Sequence, residues 1–425
     1  MKLKRELGLF EATFYGVGII LGAGIFALIG KAAALAGPSL WISFLISAFV
    51  SIFTGLSYAE LSAMYPKAGA EFVYVKKAYG SDFWAFLIGW LLIFAFVSGI
   101  ATVSLAFSGY FVELLKVKVP QVLISAMLIF FLSLVNFYGI KESSRLNILF
   151  TSMVISGLLS IIFLGFTKPL NFSQYFKAPS LEGVFSAATL VFFAYLGFEN
   201  IANISEETKN PSKTIPSALL LSIIITTFIY VLVSISVLNL ASWQELAASE
   251  APLAFAASKV FGNRAFALIS IFALFATTGT SLGLLISSSR MVYGMARENS
   301  LPKILSKIHS KRKTPYFAIF VVSGTSLLLL LTGNIARIAS LTSLCALISF
   351  CAVNLSLIHL RLMKPNLKRP FKTPLNIGKF PLTAFFAAVS CIALIGYFEV
   401  WLLLLSLVII LVGVVFFAVR KNFKL

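Results

Sequence analysis

The chain has 425 residues, 59% of them hydrophobic and 12% charged, with a formal net charge of +19. That balance excludes an ordinary water-soluble domain, and apolar runs of about eighteen residues or more recur along its whole length, so it reads as one polytopic membrane unit. The basic excess raises nucleic acid as a partner, but no basic face interleaved with stacking aromatics accompanies it, and nucleic-acid binding is excluded.

About twelve spans are expected, near residues 10–35, 40–65, 83–114, 120–138, 146–167, 183–206, 215–239, 263–297, 315–332, 335–361, 381–397 and 399–419. With the N-terminus inside, 26 of the 34 Lys and Arg fall at inner ends and loops. This is the positive-inside bias, and one missed helix would invert every later loop. The basic charge is therefore topological, with contact to anionic lipid a modest extra. A multi-pass protein of the cell membrane is expected, both termini cytoplasmic. The start MKLKRELGLFEA runs into an overlong apolar segment without an A-x-A site, so no signal peptide is expected.

Span one contains GVGIILGAGIF, with glycines at 16, 18, 22 and 24. A membrane helix must satisfy its own backbone, because an unpaired peptide group in hydrocarbon costs several kcal/mol. If the span unwinds near Gly22-Ala23-Gly24, the amides that open its second half present the positive end of a helix dipole to the gap, and the carbonyls that close its first half present the negative end. Such a gap suits a carboxylate at one end and an ammonium at the other, which describes an α-amino acid. The same glycines also fit close helix packing. No strand precedes them, so a dinucleotide-binding turn is excluded.

After span two, YPKAGAEFVYVKKAYG reads as an amphipathic segment on the inner surface, in contact with lipid. The loop KVKVP after span three contains no Cys, and all three cysteines lie within spans, so neither a disulfide-linked partner nor a zinc site is expected.

Span six carries VFFAYLGFENIANISEE, with Gly197 near its middle. Glu199 lies about seven residues, roughly 10 Å, from Glu206 and so well inside the membrane. A carboxylate at that depth is costly when ionised, so Glu199 reads as a proton-coupling or gating residue, or as an acceptor tying down freed amides. Glu206 and Glu207 read as inner-face gate or loop contacts. Two interrupted spans five apart suit a five-plus-five inverted repeat.

Span eight supplies Thr277, Thr278, Thr280 and Ser281, a hydroxyl set suited to a hard cation such as sodium and equally to helix packing. With His309 in a loop and His359 near a basic inner end, no catalytic constellation is found and an enzyme is not expected.

Four motifs now resemble one family in order along the chain: GVGIILGAGIF, YAELSAMYPKAGAEFVYVKKAYG, FFAYLGFENIANISEETKNPSKTIP and SSSRMVYGMARENSLPK. They are similar to the amino acid–polyamine–organocation transporters. That resemblance implies an all-α membrane protein with a LeuT-like five-plus-five inverted-repeat core over residues 1–362, two accessory spans over 363–425, and alternating access around broken spans one and six. It implies that a substrate carboxylate meets the amides of Ala23, Gly24 and Ile25, and that the amino group meets carbonyls of Ile20, Phe193 and Leu196. It implies further that Phe193 caps the substrate, with Gly22, Ala194 and Gly197 completing the lining. Some proton-coupled relatives carry a lysine in span five, where this chain has Val154, so a lysine-based mechanism is not expected. The expected function is secondary transport, by symport or antiport, of a neutral or apolar amino acid, with a proton or sodium as coupling ion and no cofactor. The alternatives are a sensor that binds without flux and a transporter of a cationic amino acid or polyamine.

Overall fold

The computed structural model describes residues 7–66, 70–138, 144–169, 175–176, 180–204, 208–312 and 314–423. The chain is an all-α membrane protein. In order it forms α1 (Leu9–Ile20), α2 (Ala23–Ala36), α3 (Leu40–Met64), α4 (Ala70–Tyr79), α5 (Asp82–Leu115), α6 (Gln121–Tyr138), α7 (Ser144–Phe166) and α8 (Leu181–Val191). There follow α9 (Asn200–Asn203), α10 (Pro211–Leu240), α11 (Trp243–Ala248), α12 (Pro252–Arg297), α13 (Tyr316–Leu330), α14 (Ile335–Met363), α15 (Leu382–Ile395) and α16 (Val400–Phe423). Among the described residues, eight helical stretches are long and apolar enough to cross a membrane, and four shorter apolar helices accompany them.

Local chemistry sets the boundaries. Gly37, at φ +57°, turns the chain between α2 and α3 with Pro38 opening a short 3-10 turn. Side-chain oxygens of Ser81, Ser180 and Asn334 accept first-turn amides of α5, α8 and α14. The helix α12 begins earlier than expected, at Pro252, because a short segment precedes a kink at Phe261 and Gly262; the straight part starts at the expected position.

The packing order organises the site. The helix α2 lies against α8, α3 against α10, α5 against α12 and α6 against α13. Within this bundle, Ser and Thr hydroxyls bond back to carbonyls one turn earlier, as at Ser47, Ser51, Thr102 and Ser222, which lets polar side chains lie in an apolar interior. Between α14 and α15 a small hairpin pairs β1 (Asn376–Ile377) with β2 (Phe380–Pro381).

Candidate functional site

The first interruption is two residues long. The helix α1 ends at Ile20, α2 starts at Ala23, and Leu21 and Gly22 join them. The four glycines serve distinct needs. A Cβ on Gly16 would lie 2.3 Å from Ser222 Oγ and one on Gly18 2.4 Å from Thr151 Oγ1, so these two permit close packing against α10 and α7. At Gly22 it would meet Thr280 Oγ1 at 2.5 Å, and at Gly24 the Ala194 Cα at 2.5 Å, so the other two let the broken segment approach α12 and the second break. The freed amide of Ala23 donates to Thr280 Oγ1 at 3.1 Å. Gly24 and Ile25 follow in the same first turn, whose amides have no acceptor within the helix.

The second interruption faces it. After α8 the chain tightens into a 3-10 turn, Phe192–Tyr195, runs extended at Leu196 (φ −61°, ψ 141°) and passes through Gly197 at φ +118°, a conformation open to glycine. The Leu196 amide donates to the Phe193 carbonyl at 3.2 Å. Glu199 turns back on this break: its Oε2 accepts the Gly197 amide at 2.8 Å and its Oε1 the Asn200 side-chain amide at 3.3 Å. Phe193 is 6% exposed, with Cε2 3.8 Å from where a Cβ on Gly99 of α5 would stand.

A residue that the sequence reading missed joins the two breaks. The Tyr230 hydroxyl, on α10, lies 2.5 Å from the Ile20 carbonyl oxygen and 2.9 Å from that of Ala194. One phenolic proton is thus shared between the last carbonyl of α1 and a carbonyl of the second break. Its ring is held by Tyr195 and Phe44, with centroids at 5.4 and 5.3 Å.

The hydroxyl set of α12 divides. Thr280 serves the first break, Thr277 bonds back to Ala273 and Leu274, Ser281 pairs with Ser104 of α5 at 3.3 Å, and Thr278 is half-buried. Val154 is buried in the apolar core. Glu206 and Glu207, and residues 139–143, lie outside the described residues.

A cavity of about 330 Å³ is lined by Ala27, Lys31, Gln121, Glu250 and Asn334 among others, with Lys31 Nζ 3.3 Å from Glu250 Oε1. Near it, exposed Glu245 is held down to about 2 by its hydrogen bond from Lys259, with Ser242 adding to the effect. At the opposite end of the bundle, buried Glu60 receives Arg361 through two 2.7 Å hydrogen bonds and the Thr373 amide at 2.8 Å, and forms an ion pair with Arg369, whose Nε lies 3.3 Å away. This cluster was not anticipated from the sequence.

Comparison with known proteins adds to this geometry. Residues 7–418 match the family model described as amino acid permease. The chain is 33% identical to the branched-chain amino acid permease of Bacillus subtilis over 95% of its own length and 91% of the relative's. It is 31% identical to the methylthioribose transporter of Bacillus subtilis, covering 88% and 84% of the two chains. It is 30% identical to the human cystine/glutamate transporter, covering 97% and 85%.

Proposed function

The chain belongs to the amino acid permease family, whose members are transporters, and from that premise we propose that it carries a neutral or apolar α-amino acid by alternating access around the two breaks. The observation that carries this reading is the direct apposition of the breaks. Gly24 abuts Ala194, and one tyrosine hydroxyl spans Ile20 and Ala194, so the amides that open α2 and the carbonyls that close α1 meet at one place. A carboxylate placed there meets the Ala23, Gly24 and Ile25 amides, displacing Thr280 from the first. An ammonium meets the carbonyls of Ile20, Phe193 and Leu196, sharing the Ile20 oxygen, with its two lone pairs, with the Tyr230 hydroxyl that holds it in place. Gly22, Ala194 and Gly197 line the gap and Phe193 closes it. The match to a branched-chain amino acid permease supports an aliphatic side chain in the remaining space.

The architecture in this reading has twelve spans, of which spans one to five and six to ten (residues 1–362) form an inverted repeat and the last two (363–425) are accessory. Its support is that equivalent members of the two halves pack together: α2 with α8, α3 with α10, α5 with α12 and α6 with α13. Both termini lie in the cytoplasm. The coupling ion is a proton or a sodium ion, with Glu199 at the second break and Thr277, Thr278, Thr280 and Ser281 as the residues to vary. Reconstitution in liposomes tests the function: a radiolabelled branched-chain amino acid accumulates or exchanges if the reading holds, and binding without any flux assigns the protein to sensing instead.

A further inference from the structure

The helix α4 carries a carboxylate that the two breaks do not use. Glu71, in its first turn, is 3% exposed, although this segment reads from its sequence as a surface one. Its Oε1 accepts the Tyr58 hydroxyl of α3 at 3.0 Å. Tyr58 is fully buried, and its ring meets Tyr74, Phe198 and Phe350 edge-on at 6.0, 5.7 and 5.6 Å. Phe198 directly precedes Glu199, so the Tyr58 ring stands between α4 and the second break. Tyr74, three residues beyond Glu71 and so on the same helix face, is also fully buried, and its hydroxyl has no partner.

Among the described residues, neither Glu71 nor Glu199 has an ion-pair partner, and the nearby charges are engaged elsewhere. On α4, Lys76 pairs with Asp82 of α5 at 2.8 Å, and the Lys77 carbonyl receives Lys364. On α14, the His359 ring lies tilted against Tyr79, and Arg361 is held by Glu60 together with Arg369. A buried carboxylate without a cation is stabilised most simply by taking up a proton. Burial pushes the Glu71 carboxyl above its ordinary range, against the smaller opposing pull of its backbone and Tyr58 hydrogen bonds.

We propose that Glu71 is a proton-binding residue whose carboxylic acid form seats α4 against α3 beside the second break, and which releases its proton when α4 lifts away. In the seated state Oε1 accepts from Tyr58 and Oε2 bears the proton. On lifting, the Oε2–H bond breaks heterolytically, the proton passes to water on the inner side, and the carboxylate keeps the electron pair. The mechanistic meaning of this step rests on the alternating-access reading, in which α4 covers the inner route to the breaks. It places the ionisation outside the broken helix, one ring away from Glu199.

Infrared difference spectroscopy of the full-length protein in lipid nanodiscs, titrated from about pH 5 to about pH 9, reads the group directly. A carboxylic acid C=O band that persists above the ordinary glutamate range is expected in the wild type and in Glu199→Gln, and is lost when Glu71→Gln is added to Glu199→Gln. The same band in that double variant would overturn the proposal. Tyr58→Phe removes the Tyr58 hydrogen bond to the Glu71 anion, so the midpoint of that band moves to higher pH; an unmoved midpoint also counts against it. This experiment involves no transport. Absence of flux in liposomes would sink the transporter reading while leaving the proton site decided by its own band.

Discussion

The Tyr230 hydroxyl stands 2.5 Å from the carbonyl oxygen of Ile20, the last carbonyl of α1. That carbonyl ends a helix inside the bundle with no further turn to receive an amide, and a buried acceptor left alone costs about 1–3 kcal/mol. Tyr230 satisfies it, and through the 2.9 Å approach to Ala194 the same hydroxyl holds both breaks in register.

Removing only that hydroxyl should therefore loosen the site while sparing the fold. Tyr230→Phe keeps the ring contacts with Tyr195 and Phe44. Amino acid binding is expected to weaken by about tenfold, or about 1.4 kcal/mol, while the thermal midpoint falls slightly. Titration calorimetry alongside a melting curve separates the two effects.

The glycines at the breaks should tolerate no side chain. An added Cβ at Gly24 would lie 2.5 Å from Ala194 Cα, a backbone atom that cannot move aside cheaply. Gly24→Val is expected to abolish binding, and Gly24→Ala to impair it by forcing the two breaks apart. At Gly197 the positive φ adds backbone strain of about 1–3 kcal/mol, and a Cβ would sit 2.3 Å from Ile19 Cγ2. Gly197→Ala should lower the melting temperature as well as binding. Wild-type uptake by Gly24→Val would count against the site.

Thr280 separates two readings of the hydroxyl set. It accepts the Ala23 amide at 3.1 Å, a contact that serine preserves and valine removes. Thr280→Ser should leave the melting temperature of the ligand-free protein near wild type and Thr280→Val, which strands the Ala23 amide, should lower it, in sodium and in potassium buffer alike, if the hydroxyl serves the peptide break. A drop confined to sodium buffer would assign it to an ion instead.

The Glu60 cluster predicts a purely structural phenotype. Glu60 is buried between two arginines, so Glu60→Ala strands two cations and should cost about 3–5 kcal/mol. Replacing Glu60 and Arg361 together by Leu and Met should recover part of that loss. A double-mutant cycle by thermal unfolding measures the coupling.

The breaks were legible in the sequence because glycine is a poor helix former, and a cluster of four in one apolar span, or Gly197 beside Glu199 in another, calls for a reason. Tyr230 was not legible: it is one of 13 tyrosines and lies far along its span from the one proline inside it, Pro216, so only the folded approach of α10 to both breaks reveals it. Glu60 and Arg361 are 301 residues apart, and Arg361 read as one more inner cation under the positive-inside rule. Glu71 was hidden because its segment has the mixed composition of a surface helix, whereas packing against α5 and α14 turns the carboxylate inward.

The most direct test compares the amino acid that binds best with its methyl ester and its N-acetyl derivative, by calorimetry on the same purified protein. Recognition by peptide amides at one break and carbonyls at the other requires both charged ends. Each blocked derivative should therefore bind at least about a hundredfold more weakly, a loss of about 2.7 kcal/mol per end. Equal affinity of either derivative and the free amino acid would contradict a zwitterion receptor built from the two breaks.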